Sequence, residues 1–191
     1  MHAQHAPWLK PAHNYFADRL PAMTMPAKPR VAALGVDPGL AATGYAVIRT
    51  NARGGEACAW GSLTTSSKLS LPQRLQIIYH GIEALLKDWQ PVLLIMEDIY
   101  VTGHFPKAAI QLGEVKGVIC LAAQEHQVAV MRMNPTEVKC SITGHGRAAK
   151  EQVRKAVKRV LQMQEDITPD HASDAAALAI TGLSRKGYYR W

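Results

Sequence analysis

Residues 31–37 read Val-Ala-Ala-Leu-Gly-Val-Asp, and Pro38 and Gly39 follow directly. Six small or apolar residues in a row are typical of a strand buried within a sheet. Pro and Gly end such a run, because both favour a turn. The carboxylate of Asp37 therefore lies at the end of a buried strand, where its desolvation costs free energy unless a cation or hydrogen-bond donors compensate it.

Two further strands are predicted immediately downstream, at residues 43–50 and 56–64. Each is reached through a short turn, and strands joined by short turns pair in antiparallel fashion. The first three strands therefore form a meander.

Helices and strands then alternate along the rest of the chain. Helices are predicted at residues 71–89, 108–124, 135–142, 148–163 and 171–183, and strands at 92–96 and 128–133. The run 92–96 is continuously apolar, as in a parallel strand that is covered on both faces. An antiparallel meander followed by parallel β-α-β units is the layout of the ribonuclease H-like fold. The sequence thus predicts an α/β protein with a mixed five-stranded sheet flanked by helices.

The composition bounds the class of protein. The 191 residues suffice for one domain with a real core, and the net charge of +7 favours a polyanionic partner. The three cysteines form no CxxC pair, which disfavours a zinc site or a disulfide framework. No apolar run reaches the roughly 18 to 20 residues of a membrane helix. Without the apolar segment of a secretory signal near the start, we expect a cytoplasmic protein with a flexible extension at 1–29 and a folded domain at 30–191.

Four side chains are predicted to converge on a metal site. Asp37 and Glu97 both end apolar strands, and the ends of neighbouring parallel strands meet at one edge of a sheet. His171 and Asp174 are spaced i and i+3 at the start of an Ala-rich helix, so they share one face. Three carboxylates and one imidazole could hold two divalent cations about 4 Å apart, one to activate water and one to stabilise the leaving oxygen of a phosphodiester.

Each of these residues has a simpler explanation when it is taken alone. Asp37 in Asp-Pro-Gly could be a turn residue. His171 or Asp170 could cap the helix, and Asp174 could be a first-turn acid favoured by the helix dipole. The joint pattern is what points to a metal site.

Basic and aromatic residues near these four predict contact with nucleic acid. The basic candidates are Lys139, Arg147, Lys150, Arg154 and Lys158. Three of them, at i, i+4 and i+8, share a helix face that could bind phosphates or could simply be solvated. Tyr100 and Phe105 follow Glu97 in a loop, where they could stack on unpaired bases or pack beneath the loop.

Gly113 and Gly117 give one predicted helix a face of small residues. Glycines at this spacing permit close approach of another helix. The partner could be a second copy of the chain, or the glycines could serve packing of the helix on its own sheet.

Several segments, taken in order, resemble the RuvC Holliday-junction resolvases. They are residues 34–39 with 43–45 (the opening motif), 96–100 (the second acidic motif), 112–117 (the dimer-helix segment), 134–139 with 144–150 (the basic stretch) and 170–179 (the closing motif). The similarity extends from about residue 30 to residue 183.

The resemblance implies a dimeric endonuclease that makes symmetric nicks in four-way DNA junctions during recombination and repair. It assigns Asp37, Glu97, His171 and Asp174 as catalytic residues and metal ligands, with two Mg²⁺ ions expected in each active site. His171 stands where much of the family has an Asp, and an imidazole should extend the metal tolerance to Mn²⁺.

The resemblance also suggests partners. Lys139 and Lys150 match the family's basic residues near the cut strand, and Tyr100 matches an aromatic of the junction-contacting loop. The helix with Gly113 and Gly117 corresponds to a twofold dimer contact, and branch-migration helicase machinery is a further expected partner.

Three alternatives stay open from the sequence. The first is a nuclease of the same fold that acts on structured RNA or an RNA–DNA hybrid. The second is a non-catalytic junction-binding module. The third is a fragment of an actin-type or sugar-kinase-type ATPase, whose nucleotide cleft needs two such domains where this chain supplies one.

Overall fold

The computed structural model describes residues 30–51, 54–98 and 106–188. The predicted N-terminal extension at 1–29 lies outside the described residues, as do Tyr100 and Phe105. Among the described helices, none combines the length and the apolar character needed to cross a membrane.

The described ranges contain five strands and five helices in the predicted order. They are β1 (Ala32–Asp37), β2 (Ala42–Asn51), β3 (Gly54–Thr64), α1 (Leu71–Trp89), β4 (Leu93–Glu97), α2 (Pro106–Glu125), β5 (Ala129–Met133), α3 (Pro135–Thr143), α4 (Lys150–Val160) and α5 (Asp170–Arg185). Helix α4 is shorter than the predicted 148–163. Its backbone is still extended at Ala149, and it ends before Gln162, whose φ of 53° is left-handed. Helix α2 begins two residues earlier than predicted, because proline is tolerated in the first turn of a helix.

The strands form one mixed sheet in the order β3-β2-β1-β4-β5. Strand β1 pairs antiparallel with β2, and β2 pairs antiparallel with β3. On its other side β1 pairs parallel with β4, which pairs parallel with β5. The predicted ribonuclease H-like arrangement is therefore confirmed, with β1 at the centre of the sheet.

Helices cover both faces of the sheet and create two cores. Alternate residues of β1 point to opposite faces. On one face Leu34 packs in a cluster with Ile78 of α1 and Ile119 of α2. On the other face Ala33 belongs to a cluster that includes residues of α3, α4 and α5, such as Ile180. Burial on both faces explains the uninterrupted apolar run of β1.

Helix α5 lies unusually close to the sheet. A β-carbon added at Gly35 of β1 would be 1.9 Å from the carbonyl oxygen of Ala175, so only glycine fits there. The facing residues of α5 are small and fully buried, among them Ala172, Ala175 and Ala179. This contact places the first turn of α5 over the ends of β1 and β2.

Candidate active site

The sheet brings Asp37 and Glu97 to the same edge. Val36 of β1 is in register with Met96 of the parallel strand β4, so the residues that follow them end neighbouring strands. Both acidic residues are half-buried, whereas Val36 and Met96 are completely buried. The apolar patterns of the two strands therefore position the two carboxylates.

Helix α5 supplies His171 from its first turn and Asp174 from the start of its second. A β-carbon added at Gly44, which pairs with Asp37, would be 2.2 Å from the carbonyl oxygen of His171, so the helix start rests directly on β2. The Nδ1 atom of His171 lies 2.7 Å from Oδ2 of Asp37. Asp174 forms an ion pair with Lys150 of α4, whose Nζ lies 3.5 Å from Oδ2.

All four predicted residues line one cleft of about 370 Å³. Lys139 and Lys150 lie in the same cleft. The rest of the lining is apolar and consists of Pro135, Val138, Val153, Ala177 and Leu178. The sequence analysis did not assign this apolar lining to the site, because its residues read as ordinary core positions of α3, α4 and α5. The structure thus joins six of the predicted residues in one place.

Burial and nearby negative charge raise the pKa values of Asp37 and Glu97, so these two carboxylates resist ionisation in the absence of a cation. Desolvation raises the pKa of Asp37 above its ordinary value; the charge of Asp174 adds to this, and the hydrogen bond with His171 opposes it. Desolvation also raises the pKa of Glu97, with further contributions from Asp37 and Asp174, while Lys116 acts in the opposite direction. A cation bound in the cleft would relieve both effects.

The contact between His171 and Asp37 restricts the imidazole. An ionised carboxylate can only accept hydrogen bonds, so Nδ1 must donate when Asp37 is charged. In a neutral imidazole the lone pair is then on Nε2. This is the arrangement in which a carboxylate orients a metal-binding or proton-accepting histidine.

The donor set fits a divalent cation, although the side chains are paired with one another. In the three described stretches of the chain, no three such side chains stand close enough together to ligate one ion. Asp37 is bonded to His171, and Asp174 is paired with Lys150. Lys150 is exposed, so rotation of its side chain can free Asp174, while the bond to His171 involves Oδ2 of Asp37 and leaves Oδ1 as a second oxygen for a cation. Three carboxylates and an imidazole suit Mg²⁺ or Mn²⁺.

The remaining predicted basic residues differ in their surroundings. Arg147 is exposed in the turn before α4. Arg154 pairs with three acids, namely Glu151, Asp166 and Asp170. Lys158 lies 3.3 Å from Asp166. Arg154 and Lys158 thus hold the connection before α5, and DNA contact by either would compete with these ion pairs.

Gly113 and Gly117 lie on the outward face of α2. A β-carbon added at either position would meet nothing within 4 Å among the described atoms. The same face exposes Ile110 (64%) and Leu121 (52%), whereas Ile119 is buried against the sheet. The glycines therefore do not serve packing of α2 on its own sheet, and the reading that assigned them to it is wrong.

One residue near the site was missed by the sequence analysis. Lys116 of α2 is buried, and its Nζ donates a hydrogen bond to the main-chain carbonyl of Glu97. Burial lowers the pKa of Lys116, and the charges of Asp98 and Glu97 oppose this. The sequence did contain a sign of this burial. Lys116 is three residues before Ile119, so the two share a helix face, and a charged residue on an apolar face is unusual.

Comparisons with known proteins identify the family of this chain. The family model described as crossover junction endodeoxyribonuclease RuvC matches residues 33–182. RuvC from Dictyoglomus thermophilum is 39% identical over 153 residues, covering 80% of this chain and 96% of its own. The structure of Thermus thermophilus RuvC in complex with a Holliday junction substrate superposes with a TM-score of 0.76 at 28% identity, covering 84% of this chain and 98% of that one. The yeast mitochondrial Holliday junction resolvase, at 12% identity and a TM-score of 0.63, shares the fold, with 85% of this chain and 82% of that one covered. This chain belongs to the RuvC family of crossover junction endodeoxyribonucleases.

Proposed function

We propose that this protein is an endodeoxyribonuclease that resolves four-way DNA junctions during recombination and repair. The convergence of Asp37, Glu97, His171 and Asp174 in one cleft carries the proposal. Membership of the RuvC family supports it, since the match covers most of the chain. The net charge of +7 suits a polyanionic substrate.

The cleft provides the parts that phosphodiester hydrolysis needs. A divalent cation held by these carboxylates and by Nε2 of His171 supplies, when bound, a Lewis acid for the phosphate and a water of lowered pKa. Lys139 lies in the cleft, where its ammonium can bind a phosphate oxygen of the cut strand. Val138, Val153 and Leu178 form an apolar wall beside these charged groups.

We expect two Mg²⁺ ions in each site and activity with Mn²⁺ as well. Carboxylate oxygens favour hard cations such as Mg²⁺, and the imidazole adds a ligand that Mn²⁺ accepts readily. Replacing His171 with Asp should therefore shift the preference toward Mg²⁺. A metal titration of junction cleavage by the wild type and by His171→Asp measures this shift.

The DNA surface is proposed to extend outward from the cleft. Lys139, Lys150 and Arg147 are its best-placed cations, since two line the cleft and the third is exposed beside α4. Tyr100 and Phe105 stay predicted stacking residues in the segment after Glu97. DNA binding by Arg154 and Lys158 stays a prediction. To bind DNA, each would have to give up its ion pair with a nearby acid.

We further propose that the protein acts as a homodimer through α2. The outward face of this helix combines two glycines over open space with exposed Ile110 and Leu121. Such a face permits close approach of the same helix from a second copy. Two symmetric nicks in a four-way junction require two related active sites, which a twofold dimer supplies. Action in the cytoplasm, together with branch-migration helicase machinery, completes the proposal.

A cleavage assay with four substrates tests the function. Wild-type protein with Mg²⁺ is expected to cut a four-way DNA junction and to leave linear duplex, RNA–DNA hybrid and structured RNA largely intact. Asp37→Asn and Glu97→Gln should keep junction binding and lose cleavage. Glu83→Gln is the matched control, because this half-buried acid lies on α1, outside the cleft, and pairs with Lys87.

Each result that contradicts this proposal would favour a different function or mechanism. Preferred cleavage of the hybrid or of structured RNA would identify a nuclease with a different substrate. Junction binding by the wild type without any cleavage would identify a binding module. Undiminished cutting by both carboxamide variants would overturn the assigned mechanism.

A further inference from the structure

A buried lysine lies behind the proposed metal site. Lys116 is only 6% exposed, although lysine is among the residues that are least often buried. Burial of an ammonium group costs free energy unless hydrogen bonds and opposite charges compensate it. The structure supplies both, since Nζ donates to the carbonyl oxygen of Glu97 and lies near the charges of Asp98 and Glu97.

The hydrogen bond of Lys116 is made to the main chain of Glu97. This contact fixes the peptide unit that follows the proposed metal ligand. The same peptide region is fixed from its other side by β5, because the main-chain N–H of Asp98 donates to the carbonyl oxygen of Met133 at 2.8 Å. The end of β4 is thus held by a helix and by a neighbouring strand.

Without Lys116, the carbonyl of Glu97 would lose the donor that α2 brings to it. Glu97 is the last residue of β4, so the hold of the sheet on its main chain beyond this point depends on the bond from Asp98 to Met133. The position of a carboxylate at the end of a strand depends on the position of the main chain that carries it. A displacement of about 1 Å in catalytic geometry can cost a large factor in rate.

We propose that Lys116 is a positioning residue that anchors the main chain of Glu97 and thereby places its carboxylate for metal binding. The proposal rests on the proposed function, since it concerns the same site. Lys116 acts through Glu97 and is too deeply buried to contact a DNA phosphate. Its loss is therefore expected to affect metal affinity and cleavage, with junction binding preserved.

The test compares Lys116→Met with a variant that damages only packing. Met keeps the length of the side chain and removes the donor and the charge. Ile119→Val is the matched control, because Ile119 is completely buried on the same helix one turn away. Mn²⁺ binding to the full-length protein without DNA, thermal unfolding, junction affinity without metal and single-turnover cleavage are measured for both variants.

Lys116→Met is expected to weaken Mn²⁺ binding by roughly tenfold or more, as is usual for groups that orient metal ligands. Its cleavage at subsaturating metal should fall by a similar factor, and its junction affinity should stay close to that of the wild type. Ile119→Val should lower the unfolding midpoint and leave Mn²⁺ affinity unchanged. Lys116→Arg, which keeps a cationic donor, should recover part of the lost affinity.

An unchanged Mn²⁺ affinity in folded Lys116→Met would overturn the inference, whatever happens to its unfolding midpoint. If Lys116→Met does not fold, Lys116→Gln is judged by the same criterion. Wild-type protein that cuts no junction would instead refute the proposed function. The two failures are thus distinguished by which protein shows them.

Discussion

Replacing Gly44 with Ala should displace the backbone of His171 and thereby disturb the active site. Gly44 lies on β2 in register with Asp37 and directly beneath the first turn of α5. The added methyl carbon would be 2.2 Å from the carbonyl oxygen of His171 and 2.6 Å from its β-carbon. Neither atom can rotate away, because both positions are set by the backbone of α5.

The size of the effect follows from these distances. A carbon normally approaches a carbonyl oxygen no closer than about 3.3 Å. Either α5 or β2 must therefore move by about 1 Å. Overpacking of this kind typically lowers the free energy of unfolding by about 1–3 kcal/mol. Because the displaced start of α5 carries His171 and, three residues later, Asp174, the cleavage rate should also fall, by about 100-fold for a 1 Å misplacement.

Single-turnover cleavage of a four-way junction at saturating protein measures the loss, and thermal unfolding confirms that the variant is folded. Gly81→Ala is the matched control. Its new β-carbon would lie 2.6 Å from a methyl group of Leu63, which is the mobile end of a side chain. Replacing Gly inside α1 also improves helix propensity by up to about 1 kcal/mol. A wild-type cleavage rate and an unchanged unfolding midpoint in Gly44→Ala would refute the argument.

Three further predictions concern the metal-free protein, the dimer and the basic residues. The raised pKa of Glu97 means that its charged form destabilises the folded state, so stability present below pH 4.5 is lost as the pH rises through the raised pKa. Glu97→Gln should thus raise the unfolding midpoint of the metal-free protein at neutral pH and give no gain below pH 4.5; a gain that is independent of pH would contradict this. Gly117→Glu places a charge on the outward face of α2 and should yield a folded monomer in sedimentation experiments. Ile77→Glu, at an exposed position of α1, is the control and should stay dimeric. A Gly117→Glu protein that stays dimeric would exclude the proposed contact through α2. Arg154→Gln should lower the free energy of unfolding by about 1 kcal/mol, since its acids lose their cation. Lys139→Gln should instead reduce the slope of log junction affinity against log salt concentration by about 1 and leave the free energy of unfolding unchanged. If Arg154→Gln changes the salt slope and Lys139→Gln changes the stability, Arg154 rather than Lys139 contacts the DNA.

The elements and the edge site were predictable because hydrophobic patterning determines them. The buried runs that end in Asp37 and Glu97 must lie inside the sheet, and parallel pairing of such runs leaves only one place for the two acids. The spacing of His171 and Asp174 fixes their common face for any helix. These inferences use only periodicity and strand order, which are properties of local sequence.

What escaped prediction depends on tertiary neighbours. Whether Arg154 faces DNA or acids depends on the path of the connection at 161–169, which brings Asp166 beside it. The outward direction of Gly113 and Gly117 depends on which face of α2 meets the sheet. Lys116 could be recognised as unusual within an apolar row, but its acceptor on Glu97 requires the packing of α2 against the end of β4.

The close seating of α5 has a consequence for the stiffness of the catalytic centre. Where Gly35 and Gly44 meet Ala175 and His171, backbone lies against backbone with no flexible side chain between them. Ordinary helix–sheet contacts can expand and contract because their side chains change rotamer. These backbone contacts contain no such side chains. The separation between the sheet carboxylates of Asp37 and Glu97 and the helix carboxylate of Asp174 should therefore vary little with temperature. Slow hydrogen exchange across the first two turns of α5, persisting as the protein is warmed, would be the corresponding signature in solution.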